Sequence, residues 1–221
     1  MMTISAPPSA MPSFQLGDLM KVMKVQTVEP DLPSRRRAPF IAFVGAKQSG
    51  KDTAANFMVS KLGYTRLAFA DRLKELLYEA NPMVTKSGYR LRGIVDQVGW
   101  DDAKESYPEV RQALQRVGLA CRIHIGDTVW VDIVAEQVRD LRAEGKAVVL
   151  TDVRFPNEVE MVRELGGALV RVIRHGQELG TDDHISETAL ADVPVDDELW
   201  NPGKMDAYTW AITDMHGRHA W

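Results

Sequence analysis

Cysteine is nearly absent from this chain: Cys121 is the single one in 221 residues. One thiol forms no internal disulfide and builds no multi-cysteine metal site, so a reducing compartment is expected. Within Leu119-Ala120-Cys121-Arg122-Ile123 it reads as a small packed apolar group rather than a nucleophile. No apolar run approaches the length of a membrane span, and the N-terminus lacks the basic-then-apolar layout of a secretory signal. The expectation is a cytoplasmic protein with no membrane partner. An excess of basic residues is lacking too. With 27 Lys+Arg against 31 Asp+Glu the net charge is −4, which argues against a broad surface for a nucleic acid polymer. A local basic pocket for a small nucleotide remains compatible with that balance. Internal repeats are also missing. Hydrophobic content of 45% and charged content of 26% suit an ordinary globular chain, and the length suits one well-buried domain.

What the chain does have is the pattern of a phosphate-cradling loop. Residues 45–53 read Gly-Ala-Lys-Gln-Ser-Gly-Lys-Asp-Thr, with Gly45, Gly50 and Lys51 at the fixed positions of G-x-x-x-x-G-K-[ST]. Asp52 stands where the pattern asks for Ser or Thr, and Thr53 follows one step later. The apolar run 39–44 predicts a strand before the loop, and 53–61 a helix after it, ending before Gly63. A strand, a glycine loop and a helix start aim several backbone N–H groups at one anion. Glycine is needed where no side chain can stand between backbone and phosphate. Lys51 would reach the outer phosphates as a point charge, with Lys47, Ser49, Asp52 and Thr53 completing the candidate nucleotide-binding set. An ordinary glycine turn is the bland alternative, and the full spacing with its lysine argues against it.

Residues 1–38 contain five prolines and end in Arg35-Arg36-Arg37, the composition of a flexible leader, with a short amphipathic helix possible over 14–23. From Pro39 onward strands and helices alternate. Strands are predicted over 64–69, 147–151 and 168–173, and helices over 71–80, 109–117, 127–144 and from Pro156 to Gly166-Gly167. Residues 81–107 read as irregular, because Pro82, Gly88, Gly93 and Gly99 interrupt them. Continuous apolar strands alternating with helices predict one α/β domain, a parallel sheet covered by helices on both faces.

Several polar residues fall where such a sheet would gather chemistry. Asp152 directly follows the strand 147–151, where an acid can hold the waters of a nucleotide-bound Mg²⁺, or simply cap the next helix. Arg154 would point into the same crevice. Asn157 and Glu158 lie in the first helical turn, where an acid also suits the helix dipole. Arg111 and Gln115 share a helix face four residues apart, one suited to phosphate and the other to a base edge; an ordinary surface pair has the same spacing. Arg171 and Arg174 bracket the end of the last predicted strand. The polar, glycine-containing residues 175–185 suit a lid that excludes water, with Arg174 neutralising charge on a transferred group. His175, Asp182, Asp183 and His184 lack the spacing of a metal site.

Taken in order, Gly45 to Thr53, Leu67 to Lys74 (L-A-F-A-D-R-L-K), Gly99 to Lys104 (G-W-D-D-A-K), Arg111 to Gly118, Thr151 to Glu158 (T-D-V-R-F-P-N-E) and Asp183 to Leu190 form a specific set. Over residues 39–200 it resembles the bacteriophage deoxynucleoside monophosphate kinases, P-loop kinases related in fold to adenylate kinase. The resemblance implies a three-layer α/β/α P-loop kinase domain over 39–221, with a mainly parallel sheet. It also implies a helical acceptor-binding insertion at about 81–126 and a lid at about 174–188. The implied reaction moves the γ-phosphoryl group of ATP, with Mg²⁺, to a deoxynucleoside 5′-monophosphate. Lys51, Arg154 and Arg174 would be catalytic, and Thr53 and Asp152 would place the metal. Lys74, Trp100, Arg111, Gln115 and Arg154 would hold the acceptor. A monophosphate has a second pKa of about 6, so the attacking oxygen is already ionised and no general base is called for. A monomer or homodimer, in host cytoplasm if phage-encoded, is implied. The leader has no counterpart in the family pattern, and Trp200-Asn201-Pro202-Gly203 matches its Asn-x-Gly ending only loosely. The alternatives are another small P-loop kinase, of dephospho-coenzyme A or phosphomevalonate type, and a non-kinase nucleotide-binding switch.

Overall fold

The computed structural model describes residues 38–176, 190 and 192–219. Strand β1 (Phe40–Val44) is buried along its whole length, and the alternation of its side chains sets the layering. Phe40, Ala42 and Val44 pack on one face with Trp130, Val134, Val138 and Val162. Ile41 and Phe43 pack on the other with Ala54, Met58, Tyr208 and Ile212. Helices therefore cover both sides of the sheet, giving the expected three-layer α/β/α arrangement.

The remaining elements are α1 (Lys51–Leu62), β2 (Thr65–Leu67), α2 (Phe69–Ala80), α3 (Leu91–Ser106), α4 (Pro108–His124) and α5 (Val129–Ala143). Then come β3 (Val148–Leu150), α6 (Pro156–Glu164), β4 (Ala168–Arg174), β5 (Asp197–Asn201) and α7 (Met205–His219). The strand order is β2-β3-β1-β4-β5, and every pairing is parallel. With β3 and β4 on its two sides, β1 lies where the connections diverge, so the crevice beyond its carboxyl end is the natural ligand position.

Two expectations are corrected. Residues 81–107 are not irregular: α3 fills most of them, with one break at Gly99 (φ 78°, ψ 169°). Glycine lowers helix propensity, but burial overrides it here. Leu91, Ile94, Val95 and Ala103 join Leu77 of α2 and Val110 of α4 in a small core of their own. The helix predicted over 109–117 continues to His124. Gly118 is no stop signal; a Cβ there would stand 3.0 Å from Leu73, so the glycine lets α4 approach α2. The strand β5 and the helix α7 had no counterpart in the predicted elements.

The leader lies outside the described residues except for Ala38, whose carbonyl accepts a 2.7 Å hydrogen bond from Arg142 Nε. Of the segment expected to form a lid, 174–188, only Arg174, His175 and Gly176 are described, and the rest lies outside the described residues. Arg171 is structural: its Nη2 donates to the carbonyls of Leu190 (3.1 Å) and Val193 (2.7 Å), pinning the chain that returns towards β5. Among the described residues no helix is long and apolar enough to cross a membrane.

Candidate active site

The loop between β1 and α1 is shaped by two glycines. A Cβ on Gly45 would stand 2.4 Å from the carbonyl oxygen of Val172, so the loop can leave the sheet here only without a side chain. Gly50 has φ +110°, and a Cβ on it would stand 2.4 Å from Asn201 Nδ2. Lys51 Nζ donates to the carbonyls of Gly45 (2.6 Å) and Ala46 (2.7 Å), so the ammonium is folded onto its own loop. Ser49 is 1% exposed, and its hydroxyl has no partner among the described residues.

An open cavity of about 360 Å³ adjoins this loop. Lys51, Asp52, Thr53 and Arg174 line it together with Asn201, Lys204, Met205 and Tyr208. Three cations against one carboxylate give it the sign a polyphosphate requires. Arg174 Nη1 donates to the Gln48 carbonyl at 3.2 Å, so the arginine at the carboxyl end of β4 touches the loop. Thr53 and Asp52 present hard oxygen donors of the kind Mg²⁺ takes. Asn201, Lys204 and Tyr208 were not identified from sequence. Asn201 had a faint signal in its Asn-x-Gly context, and Tyr208 had none.

A second charged group lies on the β2 and β3 side. Asp71 pairs with Arg66 at 3.0 Å and with Lys74 at 3.2 Å. Lys104 beside Asp101 holds that carboxyl below its usual range, with Lys74 and Arg66 adding to the pull. Asp152 accepts 2.9 Å bonds from the backbone N–H groups of both Phe69 and Ala70. It therefore caps α2, which has no cap from its own N-cap side chain. Burial raises the Asp152 carboxyl, against those two N–H bonds and the charge of Arg154, while Asp71 pushes the same way as burial. The structure thus brings Lys74 and Arg154 into one electrostatic neighbourhood with Asp71 and Asp152, and adds Arg66, which the sequence reading missed.

Arg111 and Gln115 sit apart from the cavity on α4, one position beyond the core-facing Val110 and Leu114. Trp100 packs partly into the small core. Behind Arg154, Glu158 is buried and accepts the N–H groups of Arg154 (2.7 Å) and Phe155 (3.1 Å), while Arg122 of α4 pairs with it at 2.8 Å. The Arg122 guanidinium also lies 4.4 Å from the Phe155 ring centroid.

Comparison with known proteins decides the family. The model of the deoxynucleotide monophosphate kinase family matches residues 88–212, from just before α3 into α7. The chain belongs to the deoxynucleotide monophosphate kinase family. It is therefore a phosphotransferase acting on a nucleotide. A putative deoxynucleotide monophosphate kinase of Acanthamoeba polyphaga mimivirus is 31% identical over 164 residues, 69% of this chain and 82% of that one. The deoxynucleotide monophosphate kinase of Escherichia phage RB69 is 29% identical over 99 residues, 44% of this chain and 40% of that one. The dephospho-CoA kinase from Campylobacter jejuni superimposes with a TM-score of 0.45 at 15% identity, over 81% of this kinase and 96% of that chain. The phosphate loop lies before the span matched by the family model, so its reading stands on the geometry described above.

Proposed function

We propose that this kinase transfers the γ-phosphoryl group of ATP, with Mg²⁺, to a deoxynucleoside 5′-monophosphate, giving the diphosphate. The observation that carries the reading is the glycine loop whose lysine ammonium faces backbone carbonyls beside a cavity rich in cations. The family favours a nucleotide acceptor over dephospho-coenzyme A or phosphomevalonate, and transfer over a nucleotide-driven switch. Viral relatives support action in the cytoplasm of a host cell.

Lys51 leaves the Gly45 and Ala46 carbonyls for the donor's outer phosphates, and the loop amides, with Lys47, hold the rest. The Thr53 hydroxyl, with Asp52, would hold the metal, whose chemistry is to offset charge on the bridging phosphates. Asp152 has both oxygens engaged by N–H groups, so its part is through water. Arg154, Lys74 and Arg111 hold the acceptor phosphate, Gln115 reads the base edge, and Trp100 supports that side. Arg174 moves from the Gln48 carbonyl to the transferred group. Positioning and charge neutralisation suffice, because the attacking oxygen is ionised at neutral pH.

The test is ADP release from ATP and Mg²⁺ with a panel of deoxynucleoside and ribonucleoside monophosphates and dephospho-coenzyme A. ADP that depends on a deoxynucleoside monophosphate is the expected result. ADP that depends on dephospho-coenzyme A alone, or on no acceptor, would overturn the proposal.

A further inference from the structure

Three consecutive carbonyls of the phosphate loop are gripped by side chains from the far end of the chain. Arg174 of β4 holds the Gln48 carbonyl at 3.2 Å. Asn201, the last residue of β5, donates from Nδ2 to the Ser49 carbonyl at 2.9 Å. The Tyr208 hydroxyl of α7 donates to the Gly50 carbonyl at 3.0 Å. The first of these is an exposed cation at the carboxyl end of β4. The other two are neutral, and their residues are 9% and 2% exposed.

We propose that Asn201 and Tyr208 are positioning residues that aim the Gly50 and Lys51 amide N–H groups at the donor phosphates. The proposal rests on the loop being the donor site. A trans peptide is planar, with its C=O and the next residue's N–H pointing in opposite directions. Fixing the Ser49 carbonyl therefore fixes the Gly50 N–H, and fixing the Gly50 carbonyl fixes that of Lys51. The loop needs such restraint, because Gly50 has the most permissive backbone of any residue type and sits at φ +110°. The Gly50 carbonyl also takes the first α1 hydrogen bond, from Ala54 N–H at 2.9 Å, so Tyr208 adds a second restraint to the same plane.

The grip is itself fixed in orientation. Asn201 Oδ1 accepts the Gly203 N–H at 2.9 Å, so turning its amide over would set donor against donor and acceptor against acceptor. The Asn201 backbone carbonyl accepts from His175 N–H at 3.0 Å, and its residue pairs with Arg174 in the β4–β5 register. The carboxyl end of β4 and the phosphate loop are thus tied through one asparagine. Amides already aimed at the phosphates need no reorganisation during transfer, which is the condition under which such donors accelerate a reaction most.

Tyr208→Phe removes one hydroxyl and keeps the ring in its core. Three readouts apply: steady-state constants for ATP and for the acceptor, the thermal midpoint, and the ¹⁵N–¹H shifts of Gly50 and Lys51 with and without ATP. Expected are a fall of about ten-fold in kcat/KM for ATP, an unchanged acceptor KM, and moved Gly50 and Lys51 amide resonances. Asn201→Ala should give the same split. A lowered thermal midpoint with unchanged kcat/KM for ATP and unmoved amides would show packing alone and overturn the proposal. Wild-type protein that binds ATP, with shifts at Gly50 and Lys51, yet transfers nothing to any acceptor would overturn the kinase reading while these amide shifts still test the grip. Wild-type protein that binds no ATP would overturn both.

Discussion

The Lys51 ammonium and the Gly45 carbonyl lie 2.6 Å apart, a charge-assisted bond that turns the lysine onto the end of the strand its loop leaves. The second bond, to Ala46 at 2.7 Å, gives the ammonium two carbonyl partners, which the proposed donor phosphates would replace.

Lys51→Ala is therefore expected to lower kcat by about 10²–10³-fold, the scale of losing one preorganised charge-stabilising donor. The fold should survive, because the lysine lies at the loop surface and its partners are carbonyls that water can reach. Circular dichroism and initial rates on the same preparation check this. Full activity in the variant would sink the role given to the loop.

Arg111→Ala should raise the acceptor KM by at least about ten-fold, as loss of a charged hydrogen bond to phosphate implies. The ATP KM should stay within about two-fold, since Arg111 stands on α4, away from the cavity beside the loop. Initial rates with each substrate varied in turn separate the two, and equal changes would remove Arg111 from the acceptor side.

Asp152→Ala leaves the Phe69 and Ala70 N–H groups without their acceptor at the start of α2. A loss of about 1–3 kcal/mol in urea unfolding is expected, with a smaller loss for Asp152→Asn, which keeps one carbonyl oxygen. A variant as stable as the wild type would mean the cap contributes nothing.

Glu158 gives a pH dependence of defined sign. Burial pushes its carboxyl from 4.5 up to about 7, outweighing the Arg154 N–H, the Arg122 charge and the Phe155 N–H, which pull the other way. Between those values the folded chain holds a proton that the unfolded chain has released. Its contribution to stability is therefore complete below 4.5 and is lost as pH rises through about 7. Glu158→Gln removes that titration. Urea midpoints measured across this window should shift progressively in favour of the variant as pH rises, whereas a gap independent of pH would contradict the raised value.

Sequence alone fixed what depends on neighbours along the chain. The apolar run before Gly45, the loop spacing through Lys51, the stripe of Trp130, Val134 and Val138, and the helix start at Pro156 are local patterns, and each forms the element it predicts. Tertiary structure decided what depends on burial and on distant partners. Residues 91–106 became a helix because a shared core with α2 and α4 outweighs their glycines. The cap on α2 comes from Asp152, 83 residues beyond the Phe69 N–H it accepts, and the grip on Ser49 from Asn201, 152 residues beyond. A hydrogen bond between residues so far apart leaves no periodicity in the chain. Only the parallel sheet, by setting β5 beside β4 at the carboxyl end of β1, brings its donor and acceptor together.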